Sequence, residues 1–81
     1  MTTVVFSAEM RRYTGEVQET EVSATDYRAA VKELRGLFPA LPAAVFDKTS
    51  VAIDGVMVQS PLLESFDSDS ELVFIARIAG G

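Results

Sequence analysis

Ser50-Val51-Ala52-Ile53-Asp54-Gly55-Val56-Met57-Val58 decides how this chain folds. Apolar, largely β-branched residues stand on both sides of Asp54-Gly55. A two-residue hairpin turn needs positive φ at both central positions, and Asp-Gly accepts that cheaply. The stretch therefore predicts an antiparallel hairpin. Beyond it, Gln59 to Phe66 reads as a connector whose Leu62, Leu63 and Phe66 plug a core. Asp67-Ser68-Asp69-Ser70 reads as a polar turn, a solvated bend and not a metal site, which would need more converging oxygens. A last strand follows over Glu71 to Ile78. Leu72, Phe74 and Ala76 share one face of it; Val73 and Ile75 share the other. A strand apolar on both faces is expected in the middle of its sheet.

On the N-terminal side, Ala40 to Ser50 is mixed; Leu41, Ala44, Val45 and Phe46 suit one or two helical turns. Before it lies a helix over about Asp26 to Phe38. Tyr27, Val31, Leu34 and Phe38 recur on one helical face, with Ala30 and Leu37 beside them. Thr25 or Ser23 is expected as its N-cap, and Asp26 complements the positive end of its dipole. Gly36 weakens it, and Pro39 ends it. Arg28, Lys32 and Arg35 fall on its solvent side, where they solubilise it. Thr2 to Ala8 reads as a first strand, Arg11 to Gly15 as a turn with Gly15 at positive φ, and Glu16 to Val22 as a second strand. Val17 and Val22 have opposite parity there, which calls for a bulge or a half-solvated edge.

The order strand, strand, helix, strand, strand, strand predicts an α+β fold. A mixed sheet packs on one main helix, the last strand beside the first, as in a β-grasp. Residues 1–78 form the expected domain and 79–81 a thin tail. Phe6, Val31, Leu34, Ile53 and Phe74 are expected to be buried together, with Tyr13 and Tyr27 as packing residues.

Composition narrows the chemistry. With 81 residues, the chain has room for one modest core and no separate catalytic domain. It has neither Cys nor His, which removes disulfides, thiol nucleophiles, imidazole bases and thiolate or imidazole metal ligands. Twelve acidic and seven basic residues leave a net charge of -5. That balance argues against nucleic-acid binding, which needs a clustered positive field, and for a basic protein partner. No apolar run reaches the ~20 residues of a membrane span. The Arg11-Arg12 pair follows the first apolar run, the reverse of a signal peptide. A cytoplasmic setting is expected from these absences. No phosphate-binding glycine loop is present, because Gly15, Gly36, Gly55 and the terminal pair lack its spacing.

The chain closes on Ala79-Gly80-Gly81. Two glycines add no packing, but they are thin enough to enter a narrow channel behind a carboxylate. Several segments together resemble the small subunit of molybdopterin synthase and related ubiquitin-like sulfur-carrier proteins. Phe6-Ser7-Ala8 with Arg11-Arg12 is similar to the family's Phe-Phe-Ala strand end and Arg-rich loop. Phe38-Pro39 matches its aromatic-Pro helix end. Val51-Ala52-Ile53-Asp54-Gly55 is similar to Val-Ala-Val-Asn-Gly. Asp69-Ser70-Glu71-Leu72 and the strand to Gly80-Gly81 are similar to Gly-Asp-Glu-Val and its Pro-Pro-Val-Ser-Gly-Gly ending. Asp69 stands at the turn glycine, and Ala76-Arg77 at the paired prolines, which gives a looser and charged approach to the tail.

The resemblance implies a carrier. An E1-like adenylating enzyme would activate the Gly81 carboxylate, using ATP and magnesium bound by that partner and none bound by this chain. A sulfurtransferase or other sulfur donor would then form a thiocarboxylate. A sulfur-accepting enzyme, such as a synthase large subunit of molybdenum cofactor biosynthesis, would receive the sulfur. Gly81 and Gly80 are the expected reacting end, and Arg77, Ile78 and Ala79 the partner-binding approach. Two other readings stay open. One is a ubiquitin-like modifier joined to target proteins through Gly81. The other is a β-grasp interaction domain with an idle tail.

Overall fold

A computed structural model of the chain describes residues 1–58, 61 and 64–76. Five strands and three helices follow in the order β1 (Thr2–Val5), α1 (Ala8–Arg11), β2 (Glu19–Val22), α2 (Tyr27–Leu37), α3 (Ala43–Asp47), β3 (Thr49–Ile53), β4 (Val56–Val58) and β5 (Glu71–Ala76). The strands form one mixed sheet in the order β2-β1-β5-β3-β4. β1 pairs antiparallel with β2 and parallel with β5, and β3 pairs antiparallel with both β5 and β4. This is the β-grasp arrangement expected from the sequence, with the last strand central and beside the first.

The hairpin forms as its turn chemistry dictates. Asp54 and Gly55 take φ of 51° and 83°, and Ile53 lies opposite Val56. Gly15 likewise sits at φ 71°. Strand boundaries differ from expectation at the N-terminal end. Ser7 leaves the strand early and caps a short helix, its Oγ accepting the Met10 N–H at 3.3 Å. The turn expected over Arg11 to Gly15 is therefore the exit from α1, whose Met10 is fully buried. β2 begins only at Glu19 and is an edge strand, which accounts for the irregular pattern around Val17.

Asp26, not Thr25 or Ser23, is the N-cap of α2: its Oδ1 accepts the Ala29 N–H at 2.8 Å. Ser23 instead donates from its N–H and hydroxyl to the Glu33 carboxylate. The core gathers Val4, Phe6, Met10, Val22, Leu34, Leu72 and Phe74 between the sheet and the helices, with Ile53 among them. Val31 and Phe38 pack on it half-buried, whereas Leu37 is 52% exposed and turns away from it. Phe66 joins the core margin as expected; Leu62 and Leu63 lie outside the described residues. Arg35 does more than solubilise, since its Nε donates to the Leu41 carbonyl at 3.3 Å and ties the end of α2 to the next loop. No helix among the described residues is long and apolar enough to cross a membrane.

Candidate functional site

The reacting end read from the sequence, Gly80 and Gly81, and its approach, Arg77, Ile78 and Ala79, lie outside the described residues. The structure describes the base on which that end is mounted, β5. Four devices hold this strand. Leu72 and Phe74 are almost fully buried on the core face. Phe74 is packed between two rings, Tyr27 at 6.3 Å and Phe46 at 5.7 Å between centroids. Backbone ladders run along both sides, to β1 through Val73 and to β3 through Ala76. At the head of the strand, Asp54 accepts the Glu71 N–H at 3.0 Å and the Ser70 hydroxyl at 2.8 Å.

These bonds hold the Asp54 carboxyl below its ordinary pKa, the Glu71 N–H contributing most and the Ser70 hydroxyl next. Burial pushes the Tyr27 phenol up to about 12, and the nearby Asp47 charge adds to the effect. Both shifts arise at contacts that anchor β5: the bonds of Asp54 to its head and the packing of Tyr27 against Phe74. Among the described residues no group of carboxylates is placed to hold a metal ion.

Among the described residues, the last part of β5 is held on one side only. β1 pairs as far as Val5 opposite Val73, then turns away into α1. Ile75 and Ala76 are paired with Ser50 and Thr49 of β3 alone, and both are exposed. Ala76, five residues before Gly81 in the sequence, is thus exposed and paired on its β3 side.

Sequence reasoning read Val73 and Ile75 as the second buried face of a central strand. The strand is central, but that face is open. All three helices bury their side chains in the core on the opposite face. Ile75 is 42% exposed and Met57, on the same open face, 54%. The signal available beforehand was the presence of one main helix, which covers one face of a sheet and leaves the other bare.

No protein-family model matches the sequence, and no curated protein matches it. Solved structures do. A crystal structure of SAMP1 from Haloferax volcanii superposes with a TM-score of 0.72 at 21% identity, over 99% of this chain and 98% of that one. A second crystal structure, described as the H. volcanii small archaeal modifier protein 1, gives 0.72 at 20% identity over 95% and 97%. The solution structure of the HVO 2177 protein of the same organism gives 0.69 at 16% identity over 99% and 85%. Likeness at these identities establishes the fold: this chain is a ubiquitin-like β-grasp.

Proposed function

We propose that this chain is a ubiquitin-like protein that works through the carboxylate of Gly81, first as a modifier joined to amines of target proteins. The observation that carries this reading is the end-to-end likeness to a structure described as a small archaeal modifier protein, over 95% of this chain and 97% of that one. Gly80-Gly81 supplies the rest: an end without side chains, following a central strand.

A carboxylate resists attack by amines until its oxygen becomes a good leaving group. In the proposed scheme, an E1-like adenylating partner that binds ATP and magnesium joins a Gly81 carboxylate oxygen to the α-phosphorus, with release of pyrophosphate. A lysine amine of the target then attacks the Gly81 carbonyl carbon, loses a proton and expels AMP. The product is an isopeptide bond. This chain contributes a thin, side-chain-free end and a rigid strand to present it.

Sulfur delivery is the second reading, favoured by the Val51-Ala52-Ile53-Asp54-Gly55 turn and the Phe6-Ser7-Ala8 strand end. There, sulfide-level sulfur from a donor displaces AMP and leaves a thiocarboxylate on Gly81, as in the small subunit of molybdopterin synthase. The two fates share activation and differ in product, so mass spectrometry separates them. An N-terminally tagged chain is recovered from its own host under denaturing conditions. Lysine residues branched with the Gly81 end establish modification. A free chain in which one sulfur replaces one oxygen establishes the carrier. If the recovered protein ends elsewhere than at Gly81 and carries neither product, both readings are overturned and the interaction domain replaces them.

A further inference from the structure

The β3–β4 turn holds a carboxyl and an amide nitrogen that can react with each other. The Asp54 side chain lies one peptide bond from the Gly55 nitrogen, and attack of that nitrogen on the carboxyl carbon closes a five-membered imide. Glycine hinders such an attack least, since it has no Cβ beside the nitrogen. A Cβ built on Gly55 meets nothing within 4 Å, so no neighbour shields this side of the turn. Asp54 and Gly55 are both exposed and both stand at positive φ, 51° and 83°. The loop has two residues, and the register that sets Ile53 opposite Val56 depends on that length.

The fold engages both oxygens of that carboxyl from outside the turn. The Ser70 hydroxyl donates to Oδ2 at 2.8 Å and the Glu71 N–H to Oδ1 at 3.0 Å. The Asp54 N–H in return donates to the Glu71 carbonyl at 2.9 Å, so these two residues are bonded in both directions. Ser70 is itself held: it is 4% exposed, and its Oγ accepts the Asp67 N–H at 3.0 Å. Hydrogen bonds to a charged form favour that form. An ionised carboxylate offers no leaving group for ring closure; it must first take a proton, so that an oxygen can depart as water. The two bonds therefore oppose the reaction twice, by fixing the rotation of the carboxyl and by keeping it charged.

We propose that Asp54-Gly55 is a latent self-modification site, guarded by Ser70 and Glu71 while the head of β5 is closed and converted to isoaspartate when it opens. The step needs only water. The Gly55 nitrogen bonds to Asp54 Cγ, and its proton leaves with the carboxyl hydroxyl as one water. Water then opens the imide. Addition at Cγ restores aspartate. Addition at the Asp54 backbone carbonyl carbon breaks its bond to the Gly55 nitrogen, and the chain then runs through the former side chain. The product has one more carbon in the backbone of a two-residue turn, and its free carboxylate is attached directly to Cα. Ser70 and Glu71 lose their acceptor, and the hairpin is uncoupled from the head of β5. The proposal is independent of the chemistry of Gly81 and holds whichever fate that residue has.

Timed incubation of the full chain at neutral pH tests it, with folded and guanidinium-denatured samples side by side. After digestion, isoaspartate is counted by methyl transfer from S-adenosylmethionine with an isoaspartyl methyltransferase, and fragmentation of the peptide places it at residue 54. The denatured chain should convert at this position. The folded chain should convert more slowly by about tenfold or more, because only its locally opened fraction reacts. Ser70→Ala removes one bond to a charged group and should raise the folded rate about tenfold. Asp54→Glu, whose ring would be larger by one atom, should give no signal at residue 54. Isoaspartyl protein should melt below the parent. A melting curve checks that Ser70→Ala is folded at the incubation temperature; if it is not, the ratio of folded to denatured rates in the parent decides. Equal rates in the folded and denatured parent, no isoaspartate at residue 54 in the denatured chain, a folded Ser70→Ala no faster than the parent, or an isoaspartyl fraction as stable as the parent each overturns the proposal.

Discussion

The Ser70 hydroxyl donates to Asp54 Oδ2 at 2.8 Å, while Asp54 Oδ1 accepts the Glu71 N–H at 3.0 Å. One carboxylate thus joins the β3–β4 turn to the head of the strand that leads to the tail. The link is ionic in character, since both bonds favour the charged form and lower the Asp54 pKa. A lowered folded-state pKa means stability that is present above the ordinary value of 3.8 and lost as pH falls through the folded value. Asp54→Asn keeps a residue that tolerates positive φ but removes the charge. Its melting temperature should lie below the parent's at neutral pH. The gap should close on acidification below the ordinary carboxylate range. A gap of constant size down to the acid limit would show that the charge is irrelevant.

Leu34 is fully buried at the centre of the α2 contact with the sheet. Leu34→Ala should cost about 2–5 kcal/mol, the usual range for this truncation in a core. Urea unfolding measures it directly. A loss under about 0.5 kcal/mol, the range of ordinary surface changes, would place Leu34 outside the core.

Most of the fold is legible in the sequence because its signals are local. Asp54-Gly55 dictates its own turn, and the spacing of Tyr27, Leu34 and Phe38 dictates a helix face. What escaped reading depends on competition between neighbours. Ser7 is as compatible with a strand as with an N-cap, and the burial of Met10 decides for the helix. Asp26 and Ser23 are both competent caps, and Glu33, ten residues away, takes Ser23. The exposure of Ile75 and the half-burial of Val73 are a property of what covers a sheet, which strand alternation does not encode.

Gly36 lies in the last turns of α2, exposed, and a Cβ built there meets nothing within 4 Å. Its backbone has ordinary helical φ, so it has no conformational reason to be glycine. Gly36→Ala should stabilise the protein by about 0.5–1 kcal/mol through the loss of unfolded-chain freedom. A raised urea midpoint with an unchanged slope is the expected result. A lowered midpoint would mean that this position needs the freedom of glycine.

Tyr27 is buried against Phe74 with its phenol pushed up to about 12. A raised folded-state pKa means stability that is complete below the ordinary value of 10.0 and lost as pH rises through the folded value. The parent should therefore lose stability between pH 10 and 12. Tyr27→Phe, which carries no ionisable group there, should lose less over the same interval. Melting curves of both proteins across that interval, with phenolate absorbance followed in parallel, measure the difference. Identical alkaline profiles would show that the phenol is not desolvated.

The last two residues of the sequence carry the final prediction. Among the described residues the strand contacts of β5 are made by Glu71 to Ala76, and the core residues Leu72 and Phe74 lie inside that span. Gly80 and Gly81 have no side chain to bury, so burial gives no reason for them. A carboxylate that must pass through a narrow enzyme channel does. Three variants separate reach, width and approach. Deleting Gly81 shortens the end by about 3.3–3.6 Å, more than a reacting atom tolerates, and should abolish activation. Gly80→Val keeps the length but adds a branched side chain, and should block entry although the carboxylate remains. Arg77→Ala removes a charge at the approach and should only weaken the reaction, with a change in salt dependence, as for a contact at the rim of an interface. All three should melt close to the parent temperature, because none removes an apolar side chain. ATP–pyrophosphate exchange with the host's adenylating enzyme gives the rates, and a melting curve for each variant gives the control. Exchange at the parent rate without Gly81, or free acceptance of an unprocessed residue appended to it, would remove the tail from the mechanism. The β-grasp interaction domain with an idle tail would then be the better reading.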